Sequence, residues 1–252
     1  MSSDKPKVIV VMPAYNAEKT LERTLDDIPK GACDEVILVD DCSKDGTFQL
    51  AQKLGLVAVR HEKNLGYGGN QKTCYRMALE RGGDIVVMLH PDFQYDARLI
   101  PYMTGLIRDG VCDVILGSRI RTRREALSGG MPLYKYLMNR LLTLFENLVL
   151  GIAVSETHTG YRAYRRSALE AVAFGRNSDD FVFDQQIIAQ FVHAGQRIGE
   201  IPVPTRYFSE ASSISFRRSV VYGIATLYTM VRYVLNAAGV WKHGIYMPKE
   251  AK

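Results

Sequence analysis

The chain has 252 residues, 47% of them hydrophobic and 23% charged, and carries a formal net charge of +5. That is chain enough for one large α/β domain and too apolar for a disordered one, so a sizeable packed core is expected. The charge is too mild for a dedicated nucleic-acid binder; it suits phosphate-bearing ligands or an anionic membrane surface, and equally a merely solubilising surface.

The four cysteines, Cys33, Cys42, Cys74 and Cys112, form no C-x-x-C pair and fall into no zinc-ligand spacing. Met1 to Lys7 is polar and charged, so no secretory signal is expected, and free thiols in a reducing cytoplasm are the simplest reading. A spanning helix wants about 20 predominantly apolar residues. Val220 to Trp241 comes nearest, but it holds Arg232, Asn236 and Gly239 and reads as an amphipathic helix that packs on the domain or lies on a membrane.

In chain order, Lys7 to Met12 is a continuous apolar run, the pattern of a strand buried on both faces. Ala17, Leu21, Leu25 and Ile28 have helical spacing within a predicted helix from Asn16 to Ile28. Glu35 to Val39 is a second strand, and Ser43 can cap a helix running to about Leu54. Leu56 to Val59 is a third strand, Gly69 to Glu80 a helix, Asp84 to Leu89 a fourth strand and Asp113 to Leu116 a fifth. Arg119 to Gly130 is basic, then glycine-containing, and reads as a mobile loop. Leu133 to Leu150 has a long apolar helical pattern, Thr157 to Arg166 is polar, Phe181 to His193 is helical and Ile198 to Val203 is a strand. Phe208 to Ser215 is a serine-rich loop before the last helix. Strand and helix alternating through short connections predict an α/β fold with a doubly wound, mostly parallel sheet and helices on both faces.

In such sheets ligands bind outside the carboxyl ends of the strands. Pro13, Tyr15 and Asn16 follow the first strand, Asp40 and Asp41 the second, and His90, Asp92 and Gln94 the fourth. Paired carboxylates at a strand end accept hydrogen bonds from a nucleobase or ribose, though Asp41 or Ser43 could instead cap the next helix. A carboxylate beyond a buried strand, as at Asp92, can ligate Mg²⁺ or Mn²⁺, which take one or two protein carboxylates and fill their shell with phosphate oxygens and water.

Six segments stand in one order: Pro13-Ala-Tyr-Asn16, Asp40-Asp-Cys-Ser-Lys-Asp-Gly-Thr47, Asn64-Leu-Gly-Tyr-Gly-Gly-Asn70, His90-Pro-Asp-Phe-Gln94, Gly117-Ser-Arg119 and Thr159-Gly-Tyr-Arg-Ala163. Together they resemble the inverting family-2 glycosyltransferases of the GT-A fold, and most of all the dolichyl- or polyprenyl-phosphate sugar synthases, over about residues 6 to 216. The resemblance implies a Rossmann-like sheet, a UDP- or GDP-sugar donor and a Mg²⁺ or Mn²⁺ cofactor. It places Pro13, Tyr15 and Asn16 in the nucleotide pocket, and Asp40 or Asp41 on the base or ribose. Asn64, Gly66 and Gly69 fall beside the nucleotide, where small residues permit close backbone approach. Asp92 matches the second acid of the family's D-x-D metal motif, Gln94 a glutamine supporting metal and diphosphate, and Arg119 an arginine facing the acceptor phosphate. Thr159-Gly-Tyr-Arg162 matches the segment, usually Ser-Gly-Phe-Arg, that closes on the donor.

Three departures stand out. The first D-x-D acid is His90, a neutral group able to bond a ribose or ligate Mn²⁺. The acid usually preceding Ser-Gly-Phe-Arg is Glu156. Transmembrane helices, common after the catalytic domain in lipid-phosphate relatives, are not expected in this sequence.

A hydroxyl acceptor would need a general base, for which Asp180 and Asp184 are candidates; both could equally be acids decorating a helix N-terminus. A lipid phosphate needs no base, and Arg119 and Lys135 would hold it, with Asn139 one helical turn from Lys135 on the same face. The expected layout is a catalytic domain over 1–216 and an amphipathic helical extension over 217–252, packed on that domain or on the cytoplasmic face of a membrane. A sugar nucleotidyltransferase or a dinucleotide oxidoreductase would want a glycine-rich loop after the first strand, where Pro13-Ala-Tyr-Asn16 stands. A soluble saccharide acceptor, and a nucleotide-sugar binder weakened by loss of the first acid, both stay open on the sequence.

Overall fold

The computed structural model describes residues 5–120, 122–128, 131–204 and 216–247. The described strands are β1 (Val8–Ala14), β2 (Glu35–Asp40), β3 (Val57–Arg60), β4 (Ile85–Met88), β5 (Val114–Ser118), β6 (Arg162–Arg165) and β7 (Ile198–Pro202). The helices are α1 (Leu21–Asp26), α2 (Thr47–Lys53), α3 (Tyr67–Glu80), α4 (Ile100–Arg108), α5 (Arg123–Ser128), α6 (Leu133–Leu150), α7 (Arg166–Ala171), α8 (Phe183–His193) and α9 (Phe216–Ala237).

The strands make one sheet in the order β3-β2-β1-β4-β6-β5-β7. All neighbours run parallel except β6, which is antiparallel to both β4 and β5. From β1 the chain winds outward through β2 and β3, then returns to place β4 on the other side of β1. The switch point therefore lies between β1 and β4, and register aligns Ala14 with Asp40 and Val11 with Met88, so the three carboxyl ends open on one edge.

Alternation along β1 supplies two cores. Ile9 and Val11 face a layer containing Cys74, Tyr75 and Ala78 of α3, Ile187 and Phe191 of α8, and Leu169 of α7. Val8, Val10 and Met12 face Leu21 of α1, Ala51 of α2, and Ile100, Met103 and Ile107 of α4. A sheet covered on both faces is what makes its central strands continuously apolar.

Elements α1, α2, α4, α5 and β6 differ from the sequence reading. The first helix begins at Leu21 rather than Asn16, because the Asn16 and Ala17 N–H groups donate to Ser43 Oγ and Thr47 Oγ1, both at 2.8 Å, instead of starting a helical ladder. Ser43 is thus no cap for α2; Asp45 accepts from the Thr47 N–H at 3.1 Å at that helix start. Within the predicted polar stretch Thr157 to Arg166 lies β6, and α4 was not foreseen. The predicted 119–130 loop contains α5, while Arg121, Gly129 and Gly130, like the 208–215 loop, lie outside the described residues.

Helix α9 lies against α6 and α8. Outward from this pair face Leu137, Leu141, Leu144 and Leu148 of α6 and Val221, Ile224 and Val231 of α9, with Leu148 81% exposed. Among the described residues, no helix is long and apolar enough to cross a membrane.

Candidate active site

Asn16, Cys42 and Phe93 are the described non-glycine residues with positive φ, at 51°, 62° and 59°. They stand just beyond β1, β2 and β4. Left-handed backbone at such residues is costly and concentrates where function over-determines geometry.

Pro13 is buried within β1, Tyr15 is 51% exposed and Asn16 is exposed. Asn16 Oδ1 accepts from the Lys44 N–H at 2.8 Å, so the loops after β1 and β2 are stitched together. The two aspartates turn inward. Asp40, wholly buried, takes the Ser43 N–H at 3.3 Å and pairs with Arg60 at 3.2 Å. Asp41 takes the Leu65 and Gly66 N–H groups at 2.8 and 3.0 Å and His61 Nδ1 at 2.8 Å. Asn64 completes this loop by donating to Asp41 O at 3.1 Å.

The glycines of Asn64-Leu-Gly-Tyr-Gly-Gly-Asn70 have a reason other than the expected one. A Cβ on Gly66 would stand 2.7 Å from Asp179 O and one on Gly68 2.4 Å from Ser178 O. A Cβ on Gly69 would meet Leu65 Cβ at 2.9 Å. The close approach is that of the protein's own 178–179 backbone: Asp179 O accepts the Gly68 N–H at 2.8 Å, and Lys72 Nζ reaches Asp179 Oδ1 at 2.7 Å.

Asp92, partly exposed, accepts the Gln94 N–H at 3.2 Å, and Gln94 is buried. His90 stacks on Tyr67 with ring centroids 5.6 Å apart and 15° between planes, and its Nε2 is 3.3 Å from Tyr67 Oη. Burial pushes the imidazole below its ordinary pKa, outweighing the upward pull of Asp92 and Asp184. Gly160 is glycine for a local reason: a Cβ there would lie 2.5 Å from His90 Nε2. Its N–H donates to Tyr95 Oη at 2.9 Å.

Behind His90 lies a buried charge pair. Asp184 accepts from Tyr67 Oη at 2.9 Å and Gln71 Nε2 at 3.1 Å, and stands 3.2 Å from Arg162. Arg162, at 0% exposure, also donates to the carbonyls of Thr159, Thr157 and Asp184 at 2.8, 3.2 and 3.3 Å. The arginine expected to contact the donor directly therefore faces inward, holding the 157–162 segment in shape. Asp180 is exposed and accepts from its neighbour's Phe181 N–H at 2.8 Å, so the two candidate bases are not brought together.

A second cluster gathers the expected acceptor residues. Glu156, fully buried, receives the Arg119 N–H at 2.7 Å, Arg119 Nε at 2.9 Å and Asn139 Nδ2 at 2.8 Å. Burial alone would raise the Glu156 carboxyl, but Arg119 and these donors outweigh it and hold it below the ordinary glutamate range. Arg119 also donates to His158 O at 2.7 Å. Lys135 is partly exposed one turn before Asn139 on α6.

Tyr67, Gln71, Glu146, His158 and Tyr222 escaped the sequence reading. His158 Nδ1 lies 2.7 Å from Tyr222 Oη of α9, and its Nε2 lies 3.1 Å from the buried Glu146 of α6. Tyr67 and Gln71 did leave a signal: four residues apart on α3, they share the face that meets Asp184.

Among the described residues no three His, Cys, Asp or Glu side chains gather to hold an ion unaided. One carboxylate at Asp92, with His90 and Gln94 beside it, fits a Mg²⁺ or Mn²⁺ ion that draws its remaining ligands from a diphosphate and water.

The doubly wound sheet, with its polar loops gathered at the switch point, has the GT-A fold. Residues 9–173 match the family described as Glycosyl transferase family 2, and the chain belongs to that family. It is 31% identical over 199 residues to a dolichyl-phosphate hexose transferase of Haloferax volcanii, covering 78% of this chain and 82% of that one. It is 28% identical over 217 residues to the UDP-N-acetylglucosamine--dolichyl-phosphate N-acetylglucosaminyltransferase of Methanococcus voltae, covering 79% and 86%. The fold is similar to glucosyl-3-phosphoglycerate synthase of Mycobacterium tuberculosis, solved with Mn²⁺, uridine diphosphate and glucosyl-3-phosphoglycerate; the TM-score is 0.68 at 20% identity, over 90% of this chain and 80% of that one.

Proposed function

We propose that the chain transfers a sugar from a UDP- or GDP-sugar, with inversion at the anomeric carbon, to a polyprenyl or dolichyl phosphate presented at the cytoplasmic face of a membrane. One observation carries the acceptor. Helix α6 sets Asn139 against Glu156 and Arg119 from its buried side and exposes Leu137, Leu141, Leu144 and Leu148 from the other. An amphiphile with a phosphate head and an apolar tail matches a charged cluster bordered by an apolar helix face. The dolichyl-phosphate acceptors named for the two relatives support this reading, and the uridine donor named for one of them supports a UDP-sugar.

The chemistry is a single displacement. A phosphate oxygen of the acceptor attacks the anomeric carbon while the bond to the nucleoside diphosphate breaks, the diphosphate leaving with the electron pair. With a second pKa near 6 the acceptor is already ionised, so no base is required. This agrees with Asp184 being committed to Arg162, Tyr67 and Gln71. Arg119 is the acceptor's cation, for which the phosphate competes with Glu156; Lys135 adds charge one turn from Asn139. A divalent ion at Asp92 would neutralise the departing diphosphate. On this reading residues 1–216 are the catalytic domain and 217–252 an extension resting on the membrane.

The test is nucleoside diphosphate release from a panel of UDP- and GDP-sugars, with Mn²⁺ and anionic liposomes carrying polyprenyl phosphate. Release dependent on the lipid phosphate supports the proposal. Release with soluble saccharides alone would move the acceptor to a hydroxyl, and donor binding without any release would leave a nucleotide-sugar binder.

A further inference from the structure

His90 stands at a position where an acid is usual. Four groups behind that histidine form an ordered line: Arg162, Asp184, Tyr67 and His90. The direction of each hydrogen bond follows from donor and acceptor inventory. Asp184, paired with Arg162 and accepting from Gln71, can only accept. Tyr67 therefore gives its one hydroxyl proton to Asp184, at 2.9 Å. The phenol oxygen is left as an acceptor, and the group 3.3 Å from it is His90 Nε2. The donor there is the ring N–H, and in a neutral imidazole that leaves the lone pair on Nδ1.

The remaining contacts hold the ring in that orientation. Its face lies on Tyr67 at 15°, and at Gly160 only a missing Cβ leaves room for the Nε2 edge. Among the described residues Nδ1 has no hydrogen-bond partner, and it is not one of their sealed, unpartnered polar atoms, so it is open to solvent there. Histidines that bind metals are commonly arranged in this way. One ring nitrogen donates to a carboxylate-anchored partner, which fixes tautomer and angle, and the other faces the ion.

We propose that Tyr67 is a positioning residue that locks His90 in the Nε2–H tautomer, presenting Nδ1 as a neutral nitrogen ligand beside Asp92 and tuning the site toward Mn²⁺ over Mg²⁺. The inference rests on the reading of Asp92 as a divalent-cation ligand. Mg²⁺ demands hard oxygen donors and dehydrates reluctantly, whereas a transition-metal ion accepts imidazole, so replacing an acid by histidine penalises Mg²⁺ more.

Tyr67→Phe keeps the ring on His90 and on Phe181 and deletes only the hydroxyl. Long-range ¹⁵N–¹H spectra of the histidine rings at pH 8, without metal or nucleotide, read the tautomer directly, since a histidine of ordinary pKa, about 6.5, is neutral there. The wild-type protein should show His90 as Nε2–H, and the variant a mixture. Free Mn²⁺ measured by electron paramagnetic resonance with UDP or GDP present should show affinity falling about tenfold in Tyr67→Phe, the lower end for loss of a ligand-orienting partner. His90→Asp should narrow the Mn²⁺-to-Mg²⁺ affinity ratio. An Nδ1–H tautomer in the wild type overturns the proposal, as does a variant with unchanged tautomer and Mn²⁺ affinity. If His90 is Nε2–H but Mn²⁺ binds with neither nucleotide, the cation-site reading falls and takes the ligand role of Nδ1 with it.

Discussion

Replacing Asp184 by asparagine tests whether that carboxylate is an anchor or a base. Asp184→Asn keeps the shape and can keep one bond from Tyr67, but it leaves the Arg162 guanidinium, at 0% exposure, without its counter-charge. Breaking a buried pair by removing one partner costs about 3–5 kcal/mol. For a chain of this size each kcal/mol moves the melting temperature by about 2–4 °C, so a fall of about 6–20 °C is expected. That is a large share of the about 5–15 kcal/mol that holds a typical domain together. The assay is thermal unfolding by circular dichroism beside turnover at a temperature where the variant is folded. The double variant Asp184→Leu with Arg162→Met should regain part of the loss, because it removes the desolvated charges although the carbonyls of Thr157 and Thr159 lose their donor. A variant that melts within about 2 °C of wild type, a shift worth only about 1 kcal/mol, yet has lost turnover would refute the anchor and restore Asp184 as the base.

Three further outcomes follow from the site. Because the folded Glu156 pKa lies below its unfolded value, the stability it contributes is complete above the ordinary glutamate range near 4.3 and is lost as pH falls through the folded value. Glu156→Gln should therefore cost about 1.5–3 kcal/mol at neutral pH and flatten the acid limb of a stability-against-pH curve from urea unfolding. Asp92→Ala should abolish nucleoside diphosphate release whereas His90→Ala lowers it less; equal losses in steady-state turnover would make His90 an equal ligand. Leu144→Glu with Leu148→Glu, both strongly exposed, should leave the melting temperature unchanged and remove the protein from sedimenting anionic liposomes; wild-type protein that stays wholly in the supernatant would end the membrane reading.

Periodicity exposed the parts of the fold whose burial is one-signed. β1 is seven buried residues in a row and reads as a strand at once; α6 spans the whole Leu133–Leu150 pattern, but it buries Asn139, Thr143 and Glu146 and turns most of its leucines outward. β6 was hidden because Arg162 and Arg165 look like solvent-facing residues; Asp184, twenty-two positions later on another element, and the carbonyls of Thr157 and Thr159 are what satisfy Arg162 when buried. For the candidate site, sequence marks positions and leaves the directions of their side chains open. Asp40 and Asp41 do stand at a strand end, but a carboxylate that takes a ligand and one that takes backbone N–H groups have the same sequence, and here the chain itself supplies the donors. The glycines after Asn64 are points of close approach, but what approaches Gly66 and Gly68 is the 178–179 backbone, out of sight of any local pattern.

The placement of β6 also governs the order in which this protein can be assembled. β1 to β4 can pair as they leave the ribosome, but β5 has no neighbour until Arg162–Arg165 is made and slots between β4 and β5, with β7 later still. Until then β4 and β5 each present an unpaired edge, the surface through which strands join the wrong chain. A fragment ending before Arg162 would keep the switch-point loops yet lack the strand that closes the sheet. The N-terminal half is thus no module that can be cut out and borrowed; the strand that completes its sheet belongs to the C-terminal half.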